Sequence, residues 1–269
     1  TIVFSHDMHS HLEKFPKIRT VVKQGKQNND ATFVLDGGDF SMGTPYQTIF
    51  KEEAAELRMM GAVGYDATTL GNHEFDYRSA GLTQMLKTAE SSGDRVPHLV
   101  AANIDWEKTL SDEEMRKDGE ALRAAMEDYG AEEYVVIERG GVKIAVFGLF
   151  GKEADDYAPE SGTYFRDPVE AAKDVVDDIQ SHEKVDLIVC LSHSGTNADN
   201  PEKSEDEILA RQVDGIDLII SGHTHTELSE PIVRGDTVIA SAGQYNDNLG
   251  TLTFTYQDGE YKLDQYRLI

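Results

Sequence analysis

The chain has 269 residues, 39% of them hydrophobic, enough to bury a sizeable core as one large domain or two small ones. Its 50 acidic and 25 basic side chains leave a formal net charge of -25, which argues against duplex DNA or RNA as a partner, because that affinity comes from Lys and Arg neutralising phosphates. A phosphate-bearing ligand would also be repelled unless its site brought positive charge, and bound metal ions supply it.

Strands and helices alternate for most of the length. TIVFS (Thr1 to Ser5) reads as a strand followed by the polar HDMHSH, and FPKIRTVVKQGKQ as a helix with Pro16 in its first turn. TFVLD (Thr32 to Asp36) is a second strand, closed by GGDFSMG. A helix over Tyr46 to Met60 precedes DATTLG, a strand ending at Asn72 and His73; Tyr77 to Ser91 is helical, and HLVAANI returns as a strand. Glu107 to Gly130 is charged and helix-prone, with Met115, Leu122 and Met126 giving an incomplete apolar stripe, so it reads as a surface helix or lid, or else a solvated insertion. EYVVIERGGVKIAVFGL is two β-rich runs joined at Arg139, Gly140 and Gly141, a hairpin. Asp167 as N-cap, Pro168 behind it and Glu170 three residues past the cap start the next helix, whose buried face is Ala172, Val175, Val176 and Ile179.

VDLIVCLS and GIDLIIS then flank the helix EDEILARQV, and the tail (DTVIASA, GTLTFTY, YKLDQYRLI) is β in character. Cys190, the single cysteine, excludes an internal disulfide and reads as a buried packing residue. Nothing approaches a membrane span or a hydrophobic leader, and no linker marks a boundary. The order predicts an α/β protein of two packed sheets with helices outside, residues 1–269 forming one domain. The start at Thr1, directly in an apolar strand, suggests a trimmed amino terminus.

Five strand ends carry an unusual polar load: Asp7 and His9, then Asp39, then Asn72 and His73, then His193, and finally His223 and His225 in SGHTHTEL. Each has a plain explanation alone, as a turn cap or a loop histidine. Together they hold most of the nine histidines, and the carboxyl ends of parallel strands share one rim. Two carboxylates, one amide oxygen and four imidazoles exceed one tetrahedral zinc site but suit two ions sharing a carboxylate, roughly 3.5–4 Å apart. The mixed N/O donors favour manganese, zinc, iron or a similar first-row divalent ion, cobalt and nickel included, over calcium, and do not select one of them. The interval in GNHEFD lets Asp76 accept a hydrogen bond from one nitrogen of His73 and leaves the other to face a substrate oxygen.

In order, HDMHS, GGDFSMG, GNHEFD, LSHSG and SGHTHT resemble the dinuclear metallophosphoesterases, the calcineurin-like superfamily, and among them the amino-terminal domain of secreted 5'-nucleotidases and related cyclic-nucleotide phosphodiesterases. The resemblance implies a four-layer αββα sandwich of two mixed sheets. It implies Asp7, His9 and His225 as ligands of one metal, Asn72, His193 and His223 as ligands of the other, Asp39 as the bridge, and His73 with Asp76 as the catalytic pair. It implies hydrolysis of a small phosphoester, nucleoside 5'-monophosphates foremost, with 2',3'-cyclic nucleotides or nucleotide sugars as alternatives, and a silent binding domain as the competing class. In the nucleotidases resembled, a carboxyl-terminal domain supplies the aromatic clamp for the base; this chain reads as the catalytic domain of a longer protein or as a single-domain member using its own loops. Tyr157, Tyr164 and Phe165 are then candidates to stack on a base, or ordinary loop anchors. The secreted relatives point to an extracellular, cell-surface or periplasmic setting, with the cytoplasm left open.

Overall fold

The computed structural model describes residues 1–269. In chain order, β1 (Ile2–Ser5), α1 (Phe15–Asn28), β2 (Phe33–Asp36), α2 (Phe50–Glu53), α3 (Ala55–Val63), β3 (Ala67–Thr68), α4 (Arg78–Ser91), β4 (His98–Leu99), α5 (Trp106–Ser111) and α6 (Arg116–Tyr129) form the first half. The second half comprises β5 (Tyr134–Arg139), β6 (Val142–Phe150), α7 (Lys152–Tyr157), α8 (Pro168–His182), β7 (Leu187–His193), α9 (Glu205–Gln212), β8 (Leu218–Ser221), β9 (Ile232–Arg234), β10 (Thr237–Ala240), β11 (Gly250–Gln257) and β12 (Glu260–Leu268).

The strands form two six-stranded sheets, ordered β12-β11-β1-β2-β3-β4 and β5-β6-β7-β8-β10-β9. In each, a parallel centre is bordered by antiparallel strands: β1 to β4 by β11 and β12, and β6, β7, β8 and β10 by β5 and β9. Strand alternation sorts the side chains into layers. Ile2, Phe4, Phe33 and Leu35 meet Ile144, Val146, Val189, Leu191 and Ile220 between the sheets. Val3 and Val34 face Ile18, Val22, Leu57, Met60, Leu82 and Leu86 on one outer side. Ala145, Phe147, Ile188 and Cys190 face Val175, Val176, Ile179 and Leu209 on the other. The result is a four-layer αββα sandwich. No helix is long and apolar enough to cross a membrane.

Several expected elements differ in detail. The helix expected over Tyr46 to Met60 is a short 3-10 turn followed by α2 and α3, broken at buried Ala54 (φ 45°, ψ 43°). Alanine is the strongest helix former, so composition gives no sign of that break. β3 and β4 keep only two residues each; beyond β4, Ala102 N–H donates to Gly148 O of the second sheet (2.8 Å), so the chain leaves its own sheet. The segment Glu107 to Gly130 forms a surface helix pair, α5 and α6, as one of its expected readings had it, and is neither lid nor solvated insertion: Leu122, Ala125 and Met126 pack into the same cluster as Leu82 and Leu86 of α4. The hairpin and the α8 start form as expected, with Gly140 (φ 59°) and Gly141 (φ 77°) closing the turn and Asp167 accepting from the N–H groups of Val169 (2.9 Å) and Glu170 (3.2 Å).

Candidate metal centre

The parallel strands β1, β2 and β3 of one sheet and β7 and β8 of the other deliver their carboxyl ends to one rim. There the chain turns abruptly. Asp7 (φ 49°), His9 (φ 48°), Asp39 (φ 51°), His223 (φ 74°) and His225 (φ 54°) all adopt the left-handed region, which costs a non-glycine residue of order 1–3 kcal/mol. Such strain is carried by the surrounding fold, and here it points side chains inward. Gly71 permits the closest approach: a Cβ there would collide with Asp39.

All nine residues singled out by the sequence meet at this rim. His9 Nε2 and His225 Nε2 lie 3.0 Å apart, near the roughly 3.3 Å edge of a tetrahedron with bonds of about 2.0–2.1 Å. His225 Nε2 is 3.4 Å and His9 Nε2 3.8 Å from Asp7 Oδ1. On the other side, His223 Nδ1 is 2.9 Å from Asn72 Oδ1, and His193 Nε2 is 3.1 Å from Asp39 Oδ2 and 4.0 Å from Asp7 Oδ1. Donor atoms of Asp7, His9 and His225, of Asp7, Asp39 and His193, and of His9, Asp39 and His73 each fall within 4.8 Å of one another. His73 thus edges the cluster, its Nδ1 3.0 Å from Asp76 Oδ2, while its backbone N–H donates to Asp39 Oδ1 (2.8 Å).

Two buried carboxylates face each other here. Burial alone would raise the Asp7 carboxyl, but the imidazoles of His225 and His6 and the charge of His193 outweigh it and hold it well below the usual range. Burial likewise opposes ionisation of Asp39, and His193 overcomes it. Burial would lower His193, but Asp39 and Asp7 push it up to about 10. His223 is drawn down to about 4 by burial and by His193, and His73 is raised to about 9, chiefly by its bond to Asp76.

His193 tests whether metal fits. Its Nδ1 donates to Gly37 O (2.9 Å), leaving Nε2 buried between the two carboxylates, 3.1 Å from Asp39 Oδ2 but without a well-aligned hydrogen bond. A buried imidazole nitrogen that faces carboxylates without a well-formed hydrogen bond is a position a cation satisfies. With N and O donors and no cysteine, two clusters of His and Asp suit a dinuclear site of first-row divalent ions.

Comparison with known proteins agrees. The calcineurin-like phosphoesterase profile matches residues 1–227. The chain belongs to that family. It is 32% identical to the trifunctional nucleotide phosphoesterase YfkN of Bacillus subtilis over 96% of this chain and 18% of that protein, and 26% identical to a 5'-nucleotidase of Vibrio cholerae over 93% of this chain and 46% of that one. This phosphoesterase chain therefore spans about half the length of the nucleotidase or less, and under a fifth of YfkN. In fold it is similar to the 5'-nucleotidase precursor of Thermus thermophilus (TM-score 0.76, 24% identity, all of this chain and 54% of that one) and to the YfkN phosphoesterase structure (TM-score 0.71, 19% identity, all of this chain and 89% of that one).

The aromatic candidates divide. Phe165 stacks on Phe150 (centroids 4.2 Å) and meets Phe75, so it is a core anchor. The Tyr164 hydroxyl donates to Asp112 (3.1 Å) and its ring carries the Lys108 ammonium at 4.0 Å. Tyr157 alone stays exposed and near the centre, its ring 5.5 Å from that of His223. Three neighbours escaped the sequence reading. Tyr245 lies 5.4 Å from His9 and 6.0 Å from His225, ring to ring. Glu74, fully buried, accepts from the N–H groups of Asp39 (3.0 Å), Gly71 (2.6 Å) and Ser41 (3.0 Å) and from the Ser41 hydroxyl (2.7 Å), tying two strand-end loops together. His6 contacts Asp7 directly. Glu74 and His6 stand inside the quoted motifs, so position was available as a signal; their partners were not.

Proposed function

We propose that this chain is the catalytic unit of a two-metal phosphoester hydrolase acting on nucleotides, with nucleoside 5'-monophosphates the first substrate class. The observation that carries the reading is the convergence on one rim of Asp7, His9 and His225 beside Asn72, His193 and His223, with Asp39 between and the buried His193 Nε2 aimed inward at it. In this reading the first three would hold one ion and the second three the other, with Asp39 available to both. Bound there, manganese or zinc would offset phosphate charge and lower the pKa of a water.

The chain's own groups do the rest. Asp76 accepts a hydrogen bond from the Nδ1–H of His73, which fixes the ring and favours the imidazolium near neutral pH, so Nε2–H can donate to a phosphoryl oxygen as charge builds there. Tyr157 at the mouth is placed to touch the substrate's organic part. The likeness to a protein named a trifunctional nucleotide phosphoesterase favours a second reading, in which the same centre takes more than one class of nucleotide phosphoester; the cyclic nucleotides expected from the sequence resemblance are the first to try. The test is to strip the protein with chelator, restore manganese, zinc or calcium, and assay AMP, UMP, 2',3'-cyclic AMP and a nucleotide sugar. Activity returning with manganese or zinc and not with calcium supports the reading; full activity without metal refutes it. The preferred substrate separates monoesterase from diesterase.

A further inference from the structure

We infer that His6 is a positioning residue that divides the Asp7 carboxylate, holding one oxygen for the protein and turning the other to the metal centre; the inference rests on the dinuclear reading above. His6 is buried at the end of β1, in a layer where an imidazole needs partners for both nitrogens. The Ala242 backbone N–H, just past β10 of the opposite sheet, donates to His6 Nε2 at 2.7 Å. A nitrogen that accepts there carries no proton, so the ring proton resides on Nδ1, which donates to Asp7 Oδ2 at 2.6 Å. The tautomer is therefore set by a backbone group that cannot titrate.

The consequence lies in the two oxygens of Asp7. Oδ2 is taken up by His6 Nδ1 and, at 3.0 Å, by the His223 N–H, which is shared with Oδ1 at 3.2 Å, so only the His6 bond is exclusive to Oδ2. Oδ1 is the atom approached by the ring nitrogens of His225 (3.4 Å), His9 (3.8 Å) and His193 (4.0 Å). Rotation of the carboxylate would break the His6 bond, so the donor orients Oδ1 toward the centre. The same ring links the loop after β1 to the loop after β10, where Tyr245 N–H donates to Asp7 O (2.7 Å). Asp7 is thus gripped from both sheets, and outer-shell partners of a ligating carboxylate set its affinity for metal.

Two substitutions separate the roles of the two nitrogens. His6→Asn keeps an amide N–H near the place of Nδ1 and gives up the reach to Ala242. His6→Gln keeps an acceptor near the place of Nε2 and gives up the donor to Asp7. Titration calorimetry with Mn²⁺ on chelator-treated protein, with elemental analysis of the ions retained, should show two ions on the unaltered chain. His6→Gln should weaken one of them by about 10–100-fold, and His6→Asn should restore most of that loss. Melting temperatures taken in chelator report the strut to Ala242 separately and should fall more for His6→Asn. The reverse ranking in metal affinity, or unchanged affinity for both ions in both variants, would overturn the assignment of His6 alone. Fewer than two ions on the unaltered chain would overturn the dinuclear reading and this inference with it. If either variant fails to fold, His6→Phe, which keeps the ring's shape beside Phe4 without donor or acceptor, must lose one ion for the assignment to stand.

Discussion

The two edges of the sandwich bury carboxylates in opposite ways. At the amino edge, Asp66, just ahead of β3, is 3% exposed and fully answered: Arg139 Nη1 and Nη2 donate to its two oxygens at 2.7 and 2.8 Å, Arg95 Nη2 adds a third bond at 3.0 Å, and the Val34 N–H a fourth at 2.9 Å. At the carboxyl edge, Asp7 and Asp39 are as deeply buried, yet no arginine or lysine pairs with either; imidazoles surround them, and His193 Nε2 lies 3.1 Å from Asp39 without a well-aligned hydrogen bond. A bidentate guanidinium closes a charge permanently, whereas imidazole lone pairs beside carboxylates leave room for a cation from outside. The first edge serves stability and the second ligand binding, and the backbone agrees: five of the residues singled out at the carboxyl edge are left-handed, whereas Asp66 and Arg139 are not.

The most damaging way to break this contrast is to remove negative charge where the open edge needs it. Asp39→Asn should lose both ions and lower turnover by about 10³-fold or more, since the several kcal/mol of charge stabilisation supplied by metal goes with them. Metal content and phosphatase rate, measured on the same preparation, check it. Next in size, His73→Ala should retain both ions and lose roughly 10²–10⁴-fold in kcat, because the ring acts on substrate and not on metal. Loss of an ion from that variant would move His73 into the ligand set, where its closeness to His9 and Asp39 would also allow it.

The closed edge answers to a different measurement. Asp66→Asn should leave metal content and rate unchanged while lowering stability by about 2–3 kcal/mol, the range for charged hydrogen bonds in a partly screened pair, read from urea midpoints. Burial alone would raise the Asp66 carboxyl, and Arg139 outweighs it, so the folded value lies below the ordinary 3.8. A group depressed in the folded state contributes stability that is present above its unfolded pKa and lost as pH falls through the folded value. The unaltered protein should therefore lose part of its margin over Asp66→Asn below about pH 4.

How much of each edge was legible follows from what fixes it. Asp7, Asp39, His193 and the SGHTH pair could be read because each follows an apolar run that must be a buried strand, and strand ends of one sense gather on one rim. The caps and turns of α8 and the hairpin were legible because they are local. Ala54 was not, since its left-handed turn is imposed by packing on a residue that favours helix. Nor was the docking of α6 on α4, because an incomplete apolar stripe says little about what it meets. The roles of His6 and Glu74 depend on Ala242 and Ser41, partners that only the folded chain brings within reach. The ion pair Arg139–Asp66 was invisible for the same reason: 73 residues separate its members.

The smallest expected effect concerns the mouth of the open edge, where the three aromatic candidates part company. Phe165 belongs to a stacked core trio and Tyr164 to a bonded surface anchor, so substituting either should act on stability. Tyr157 is 66% exposed, and its hydroxyl makes no hydrogen bond, so the ring is free to meet a ligand beside His223. Tyr157→Ala should thus leave the melting temperature and metal content nearly unchanged. If the ring stacks on a nucleobase, about 0.5–1.5 kcal/mol is lost, a rise in KM for AMP of up to roughly tenfold with kcat little altered. A small aryl phosphate offers an aromatic ring of its own, so the cleaner comparison is AMP against a sugar phosphate with no ring to stack. Equal KM changes for the two would assign Tyr157 to the phosphate end of the site, and no change for either would remove it from substrate binding.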